Sequence, residues 1–183
     1  MNMIRIAPLP LSDWPAGLLD KMNALTDGKV RAASHVYRTL ANHSDLAIAW
    51  IQLGSHVYRR STLSPRDREI AILRATALSK GIYPFAQHCG IAAELGLTTS
   101  DFTGIITGPT AENSSAQDRE LLLAVDEIYA TKALRDQTWG TLRYRFSMRQ
   151  VMDLIALVAF YRLASWLLNS CGTPLDAGIA ATD

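Results

Sequence analysis

Two consecutive helical patterns over residues 64–97 constrain the fold of this chain more than any other segment. Ser64 is a predicted N-cap, and Pro65 takes the first helical position, where the missing N–H of proline costs nothing. The rest of this helix is apolar on nearly every side, so Glu69 is a charge in a segment that otherwise looks buried. A second predicted helix ends at Gly96, and the short connection means that the two helices must pack together.

Glu69 on the first of these helices and His88 on the second are the best candidates for chemistry in the sequence. A carboxylate in contact with an imidazole favours the protonated ring and fixes its tautomer, which creates a proton donor near neutral pH. Each residue also has an ordinary explanation. A carboxylate in a first helical turn is stabilised by the helix start, and a histidine among apolar residues is usually a core residue with one hydrogen bond.

Three further residues of the same segment are candidates for binding a substrate. Arg74 lies in the most apolar part of its helix, so it either pairs internally or points into a cavity, where its guanidinium could bind a carboxylate. Tyr83 and Gln87 flank the turn between the helices. They could donate hydrogen bonds to a ligand, or they could serve as capping and packing residues.

The segment also carries an ordered signature: Glu69, an apolar run to Leu78, Tyr83, Gln87-His88, and then Ala93, Gly96, Leu97 and Thr98. This order and spacing resemble the signature of the carboxymuconolactone decarboxylase family, which includes the alkyl-hydroperoxidase D-like proteins. Glu69 and His88 fall where that family has its acid and its histidine. Beyond the signature, the resemblance covers roughly residues 37–169.

The chain differs from the peroxidase branch of that family at two positions. That branch resembles the pattern E-x11-C-x2-C-x3-H, and counting from Glu69 places Gly81 and Pro84 at the two cysteine positions. A thiolate must attack the peroxide in such an enzyme. The sequence therefore argues against a peroxidase or thiol–disulfide function.

The resemblance implies a cofactor-independent carbon–carbon lyase of aromatic catabolism, which decarboxylates or cleaves a small unsaturated lactone or keto acid. His88 would then donate the proton, Glu69 would orient it, and Arg74, Tyr83 and Gln87 would hold the acid substrate and its carbonyl. Related proteins assemble as trimers or hexamers, so the resemblance also implies a homo-oligomer. The alternative is a non-catalytic or ligand-binding oligomeric member of the family, in which the polar pair only satisfies itself.

The chain as a whole predicts an all-α fold: a single-domain helical bundle of seven or eight helices, alkyl-hydroperoxidase D-like by resemblance. No segment alternates apolar and polar residues over the length of a strand. Residues 1–27 are predicted to form an N-terminal arm and the first helix. Residues 28–183 are predicted to form the carboxymuconolactone decarboxylase-like helical part of the same compact domain.

Two internal similarities leave alternatives open. SAQDRELLLAV at 115–125 repeats the pattern of SPRDREIAILR at 64–74, which is consistent with a duplicated helix pair. In that alignment Trp139 stands where the first copy has His88, so the second copy would serve structure only. The pentapeptide SHVYR occurs at both 34–38 and 55–59, either by coincidence within two amphipathic helices or as a pair of similar positions at a rim.

Composition and charge exclude several classes of partner. Lysine and arginine total 18 against 17 aspartates and glutamates, so neither nucleic acid nor an anionic membrane is an expected partner. The last predicted helix is long enough to span a bilayer, but Asp153 and Arg162 interrupt it, which favours a buried or subunit-interface helix. The histidines lack metal-ligand spacing, so no metal is expected, and the two cysteines without a signal-peptide pattern predict a cytoplasmic protein.

Overall fold

The structure is a computed structural model that describes residues 3–28 and 30–179, and these residues form an all-α fold. The predicted fold class is therefore confirmed. The described ranges contain nine α-helices, at least one more than the seven or eight predicted, and the two shortest, α1 and α2, have 7 and 6 residues. The helices are α1 Leu18–Ala24, α2 His35–Leu40, α3 Ser44–Ser55, α4 Pro65–Leu78, α5 Ile82–Glu94, α6 Thr99–Thr107, α7 Ala116–Thr131, α8 Asp136–Arg145 and α9 Met148–Cys171.

The N-terminal lead-in packs against the ends of two helices. Backbone N–H groups of Arg5 and Ile6 donate to the Cys171 carbonyl at the end of α9, and the Leu9 N–H donates to the Arg38 carbonyl in α2. These hydrogen bonds hold the segment against the helical body. The division at residue 27 stays a prediction, and positions 1, 2, 29 and 180–183 of the two predicted parts lie outside the described residues.

Helix α4 is the central element of the bundle and packs against α5, α7 and α9. The Ser64 hydroxyl accepts a hydrogen bond from the Asp67 N–H at 3.0 Å, with Pro65 at the first helical position, so the predicted cap is confirmed. Ile70, Ile72 and other α4 side chains are fully buried. A helix buried on all sides must receive its neighbours around its whole circumference, which explains its apolar sequence.

Helix α5 starts where α9 passes very close to the chain. A Cβ added at Gly81 would lie 2.7 Å from the Cβ of Ser165, so the approach requires glycine. At the other end of α5, Gly96 has a φ of 88° and the Leu97 N–H donates to the Ala92 carbonyl, which confirms the predicted helix end.

Helix α9 has 24 residues and a mean hydropathy of 1.7 in its most apolar window, enough for a membrane span by length and composition. However, 56% of that window is buried inside the bundle, which is typical of the core helix of a soluble protein. The two charged residues that interrupt it also have partners within the protein: Asp153 accepts from Thr62, and the Arg162 guanidinium stacks on Trp166. Assembly of subunits through the exposed face of α9 stays a prediction.

We expect Gly81→Ala to lower the free energy of unfolding by about 1–3 kcal/mol, the usual cost of overpacking a closed site. The new Cβ would force α5 and α9 apart at Ser165. Urea unfolding followed by circular dichroism measures the difference. Gly90→Ala is the matched control, because nothing packs within 4 Å of a Cβ added there and alanine favours the helix. Parent-like stability of Gly81→Ala would contradict the close approach of the two helices.

Candidate active site

A cavity of about 230 Å³ lies between α2, α3, α5 and α9, and His88 is part of its wall. The π-helical turn His56–Arg60, which continues α3, forms a further side. Most of the wall is aromatic or aliphatic, with side chains that include Tyr37, Trp50, Tyr58, Ile91, Phe160 and Leu168. The histidine chosen from the sequence thus faces a space into which a small molecule fits.

Glu69, His88 and Tyr161 form one chain of hydrogen bonds across α4, α5 and α9. The distance from His88 Nδ1 to Glu69 Oε2 is 2.6 Å, and the distance from His88 Nε2 to the Tyr161 hydroxyl is 2.9 Å. Glu69 is completely buried, and the other two residues are almost completely buried. The contact predicted between Glu69 and His88 is therefore present, and the chain continues to a phenol that lines the cavity.

Aromatic rings hold the imidazole in place. The His88 ring meets the Tyr161 ring edge-on at a centroid distance of 5.0 Å and the Tyr58 ring edge-on at 5.5 Å. Arg68 lies 4.9 Å above the Tyr58 ring, and its Nε is 3.5 Å from Glu69 Oε1. The imidazole is thus fixed by two hydrogen bonds and two aromatic contacts, and it has little freedom to rotate.

The chemistry of Glu69, His88 and Tyr161 fixes which group donates in each hydrogen bond between them. A carboxylate only accepts, so Nδ1 carries a hydrogen and donates to Glu69. In the neutral ring, Nε2 accepts from the Tyr161 hydroxyl. In the protonated ring, Nε2 donates to the Tyr161 oxygen, and the phenolic hydrogen is then free to point into the cavity. A proton on His88 can therefore be passed to a molecule in the cavity through the Tyr161 hydroxyl.

Burial raises the pKa of Tyr161 well above its ordinary value, and the nearby charge of Glu69 acts in the same direction. The pKa of Tyr58 is also raised, first by burial and then by Glu69. Both side chains are therefore neutral phenols at physiological pH. A neutral phenol donates a hydrogen bond without adding a charge to the cavity.

Tyr83 and Gln87 lie in the cavity wall, but their polar groups bind the C-terminal segment of the chain. The Tyr83 hydroxyl and Gln87 Nε2 both donate to Asp176 Oδ2, at 2.9 and 2.6 Å. The Ser34 hydroxyl donates to the same oxygen at 2.7 Å, and the His35 N–H donates to Oδ1 at 2.7 Å. These donors hold the segment after α9 against α2 and α5, which is a packing role. Substrate binding by Tyr83 and Gln87, which both line the cavity, stays a prediction.

Arg74 does not reach the cavity, and its assignment to substrate binding is wrong. Its Nε and Nη2 bind the two carboxylate oxygens of Asp126 on α7 at 2.6 and 2.8 Å. Its Nη1 donates to the carbonyls of Ile105 and Ile106 at the end of α6. A buried guanidinium needs a carboxylate and further acceptors, and α7 and α6 provide them on the side of α4 away from His88. Internal pairing is the alternative that the structure shows.

Three residues of the site are not among those predicted from the sequence: Tyr161, Tyr58 and Asp176. Tyr161 lies in an apolar helix that offers no local signal of a site, and Asp176 follows the last helix in a short irregular segment. Tyr58 could have been found from the sequence, because it lies in the second copy of the repeated SHVYR pentapeptide. Both copies supply a serine and a tyrosine to the cavity, so they do occupy similar positions: Ser34, Tyr37, Ser55 and Tyr58.

The second copy of the possible duplication has no comparable site. Glu120 and Trp139, the positions aligned with Glu69 and His88, are both exposed. The caps of the two long helices are alike, because Ser64 and Ser115 each accept from the N–H of the aspartate three residues on. The origin of this likeness by duplication stays a prediction.

Comparison with known proteins gives matches of fold only. No family model and no curated protein match the chain. A peroxidase-related protein from Silicibacter sp. TM1040, uncharacterized, matches with a TM-score of 0.78 at 15% identity over 97% of this chain and 95% of that chain. An alkylhydroperoxidase AhpD core structure from Ralstonia eutropha JMP134, also an uncharacterized peroxidase-related protein, matches with 0.78 at 18% over the same shares.

A third match has a named activity. A variant of the debrominase Bmp8 in complex with 2,3,4-tribromopyrrole has a TM-score of 0.71 at 15% identity, over 97% of this chain and 94% of that chain. Together these structures show that the chain has the alkyl-hydroperoxidase D-like fold that its signature resembles. At such identities the likeness shows the architecture, and the activity must be argued from the site itself.

We expect Asp176→Asn to lower the free energy of unfolding at pH 7 by about 1–3 kcal/mol, because an amide leaves some of the four donors poorly paired. Burial opposes ionisation of Asp176, but its hydrogen bonds outweigh burial and lower its pKa. Its stabilisation is therefore present above the unfolded-state pKa of about 3.9 and is lost as the pH falls through the lower folded-state pKa.

Guanidinium unfolding at pH 7 and at successively lower pH measures this effect, and the gap between the variant and the parent should shrink below about pH 3.9. Asp20→Asn is the control, because Asp20 is exposed on α1. A gap at pH 7 no larger than that of the control would show that the Asp176 contacts do not hold the C-terminal segment.

Proposed function

We propose that this protein is a cofactor-independent acid–base enzyme, a lyase that decarboxylates or cleaves a small unsaturated lactone or keto acid. The observation that carries the proposal is the chain Glu69–His88–Tyr161, which connects a buried carboxylate to a phenol in the wall of a cavity. Such a chain holds an imidazole in one tautomer beside a space for substrate, as general acid catalysis requires.

Decarboxylation makes two demands on a site. The bond between the carboxylate carbon and its neighbour breaks, carbon dioxide leaves, and the electron pair passes through the conjugated system to a carbonyl oxygen. A proton must then be delivered to carbon as the electrons return. In the proposed site, protonated His88 donates to the Tyr161 oxygen while the Tyr161 hydrogen passes to the substrate, and solvent later restores the proton to His88.

The Tyr161 phenol also suits the oxygen on which negative charge develops. Its raised pKa keeps it protonated, so it acts as a hydrogen-bond donor. A fixed donor in a site of low polarity lowers a barrier by roughly 3–4 kcal/mol. The aromatic and aliphatic wall around it excludes much of the water that would weaken this interaction.

The structural matches suggest alternatives of unequal strength. Two of them are described as peroxidase-related, but this chain lacks both cysteines of that branch, and Ser165 leaves no room for a side chain at position 81. The Bmp8 complex contains a single-ring ligand. A ring of that size also fits a cavity of about 230 Å³, which is consistent with a small cyclic substrate here.

A non-catalytic ligand-binding protein is the second candidate. It is favoured by one observation: both ring nitrogens of His88 already have hydrogen-bond partners within the protein. In this case Glu69, His88 and Tyr161 would only satisfy one another and shape the cavity. Turnover distinguishes the two candidates, because a binding protein releases its ligand unchanged.

We expect release of carbon dioxide from at least one member of a panel of small unsaturated lactone acids and keto acids. With that substrate, His88→Ala should lower kcat by about 10²–10⁴-fold through loss of the proton donor. Tyr161→Phe and Glu69→Gln should each lower kcat by at least about tenfold, because either change breaks the chain at one end.

The controls are His43→Ala and Tyr144→Phe, which change the same residue types at exposed positions outside the cavity. Both should retain the parent kcat, and circular dichroism should show that every variant is folded. A parent-like kcat for His88→Ala would overturn the proposed mechanism. Binding of panel compounds without any turnover would favour the ligand-binding candidate.

A further inference from the structure

The cavity wall contains two cations that the proposed chemistry does not use. Arg31, which precedes α2, and Arg59, in the π-helical turn after α3, both line the cavity and are both exposed to solvent. Their exposure places them at the mouth, whereas the buried His88 and Tyr161 lie at the inner end. The cavity therefore has an acid–base end and a cationic end.

The charge balance of this wall is positive. Among the described residues that form it, two are arginines and none is an aspartate or glutamate. Two carboxylates contact residues of the wall without being part of it: Glu69 is bound to His88, and Asp176 accepts from Ser34, Tyr83 and Gln87. The charges of the wall itself therefore favour the entry of an anion.

The electrostatic influence of both arginines reaches the phenols of the wall. Burial raises the pKa of Tyr37, and Arg59 and Arg31 oppose that rise. The same two arginines oppose the raised pKa of Tyr58. The positive charges at the mouth thus act on the space between these two rings.

Size and wall chemistry limit what can occupy the rest of the space. The cavity, at about 230 Å³, is smaller than the range of about 300–1,000 Å³ that is usual for drug-sized ligands. Trp50, Phe160 and the tyrosines present ring faces and edges, which suit a flat apolar group. A single ring or a short conjugated chain fits this description.

We propose that Arg31 and Arg59 bind a carboxylate of the substrate at the cavity mouth, and that the substrate is a single-ring or short conjugated acid. Its flat apolar part then lies among Tyr37, Tyr58 and Trp50, with its far end toward Tyr161. This inference rests on the proposed function and deepens it, because it gives the substrate class and the orientation. Guanidinium groups bind carboxylates through paired hydrogen bonds, which favours an acid over its neutral amide.

The test measures binding without turnover. Isothermal titration calorimetry compares trans-cinnamate with its uncharged amide, cinnamamide, for the parent and for Arg31→Gln, Arg59→Gln and the double variant. We expect the parent to bind cinnamate more tightly than the amide. Each substitution should weaken cinnamate binding about three- to fivefold and amide binding less than twofold, as expected for solvent-exposed ion pairs.

Arg60→Gln is the matched control, because Arg60 is exposed, follows Arg59 and lies outside the cavity wall. It should bind both probes like the parent. Salt provides a second readout: raising the ionic strength to about 0.15 M should weaken binding of the acid and leave binding of the amide unchanged.

Three results would overturn the inference: no saturable cinnamate binding up to about 10 mM, equal affinity for the acid and the amide, or Arg31→Gln and Arg59→Gln proteins that bind like Arg60→Gln. Because these titrations need no turnover, a failed lyase assay would leave their outcome standing. Conversely, titrations that contradict carboxylate binding by the two arginines would not contradict the acid–base role of His88 and Tyr161, which the kcat measurements test.

Discussion

The hydrogen bond between Glu69 and His88 is the constraint on which the rest of the site depends. A carboxylate with no exposed surface is costly in a protein interior unless a donor or a positive charge satisfies it. His88 is that donor at 2.6 Å, and the contact joins α4 to α5 in one register. With Nδ1 bound to Glu69, Nε2 of the same ring lies 2.9 Å from the hydroxyl of Tyr161 on α9.

Helix α9 is therefore part of the site as well as the core. It supplies Tyr161 to the hydrogen-bond chain and Phe160 to the cavity wall, and it brings Ser165 so close to the start of α5 that Gly81 has no space for a side chain. Helix α9 therefore both positions the phenol and leaves no room for a side chain at position 81.

The sequence predicted the elements that local rules govern. The Ser64 cap, the end of α5 at Gly96 and the all-α class follow from capping, glycine conformation and apolar periodicity within a few residues. The pairing of Glu69 with His88 could be predicted because the two residues lie on consecutive helices joined by a short turn. Such signals are local, so one sequence is sufficient to find them.

The remaining features depend on contacts between distant parts of the chain. The partner of Arg74 is Asp126, 52 residues away, and no local pattern could choose between that ion pair and a ligand. Tyr161 and Asp176 reach the site only through the path of α9 and the segment after it. The SHVYR repeat includes Tyr58. That both copies line one cavity, however, follows only from the relative positions of α2 and α3.

The most direct test of the account is nitrogen NMR of ¹⁵N-labelled His88, with the Tyr161→Phe protein for comparison. The account predicts hydrogen on Nδ1 in the neutral and in the protonated ring, no hydrogen on Nε2 in the neutral ring, and a change confined mainly to Nε2 when the Tyr161 hydroxyl is removed. A ring with hydrogen on Nε2 in the neutral form, or spectra identical with and without the hydroxyl, would contradict a hydrogen-bond chain that runs from Glu69 through His88 to Tyr161.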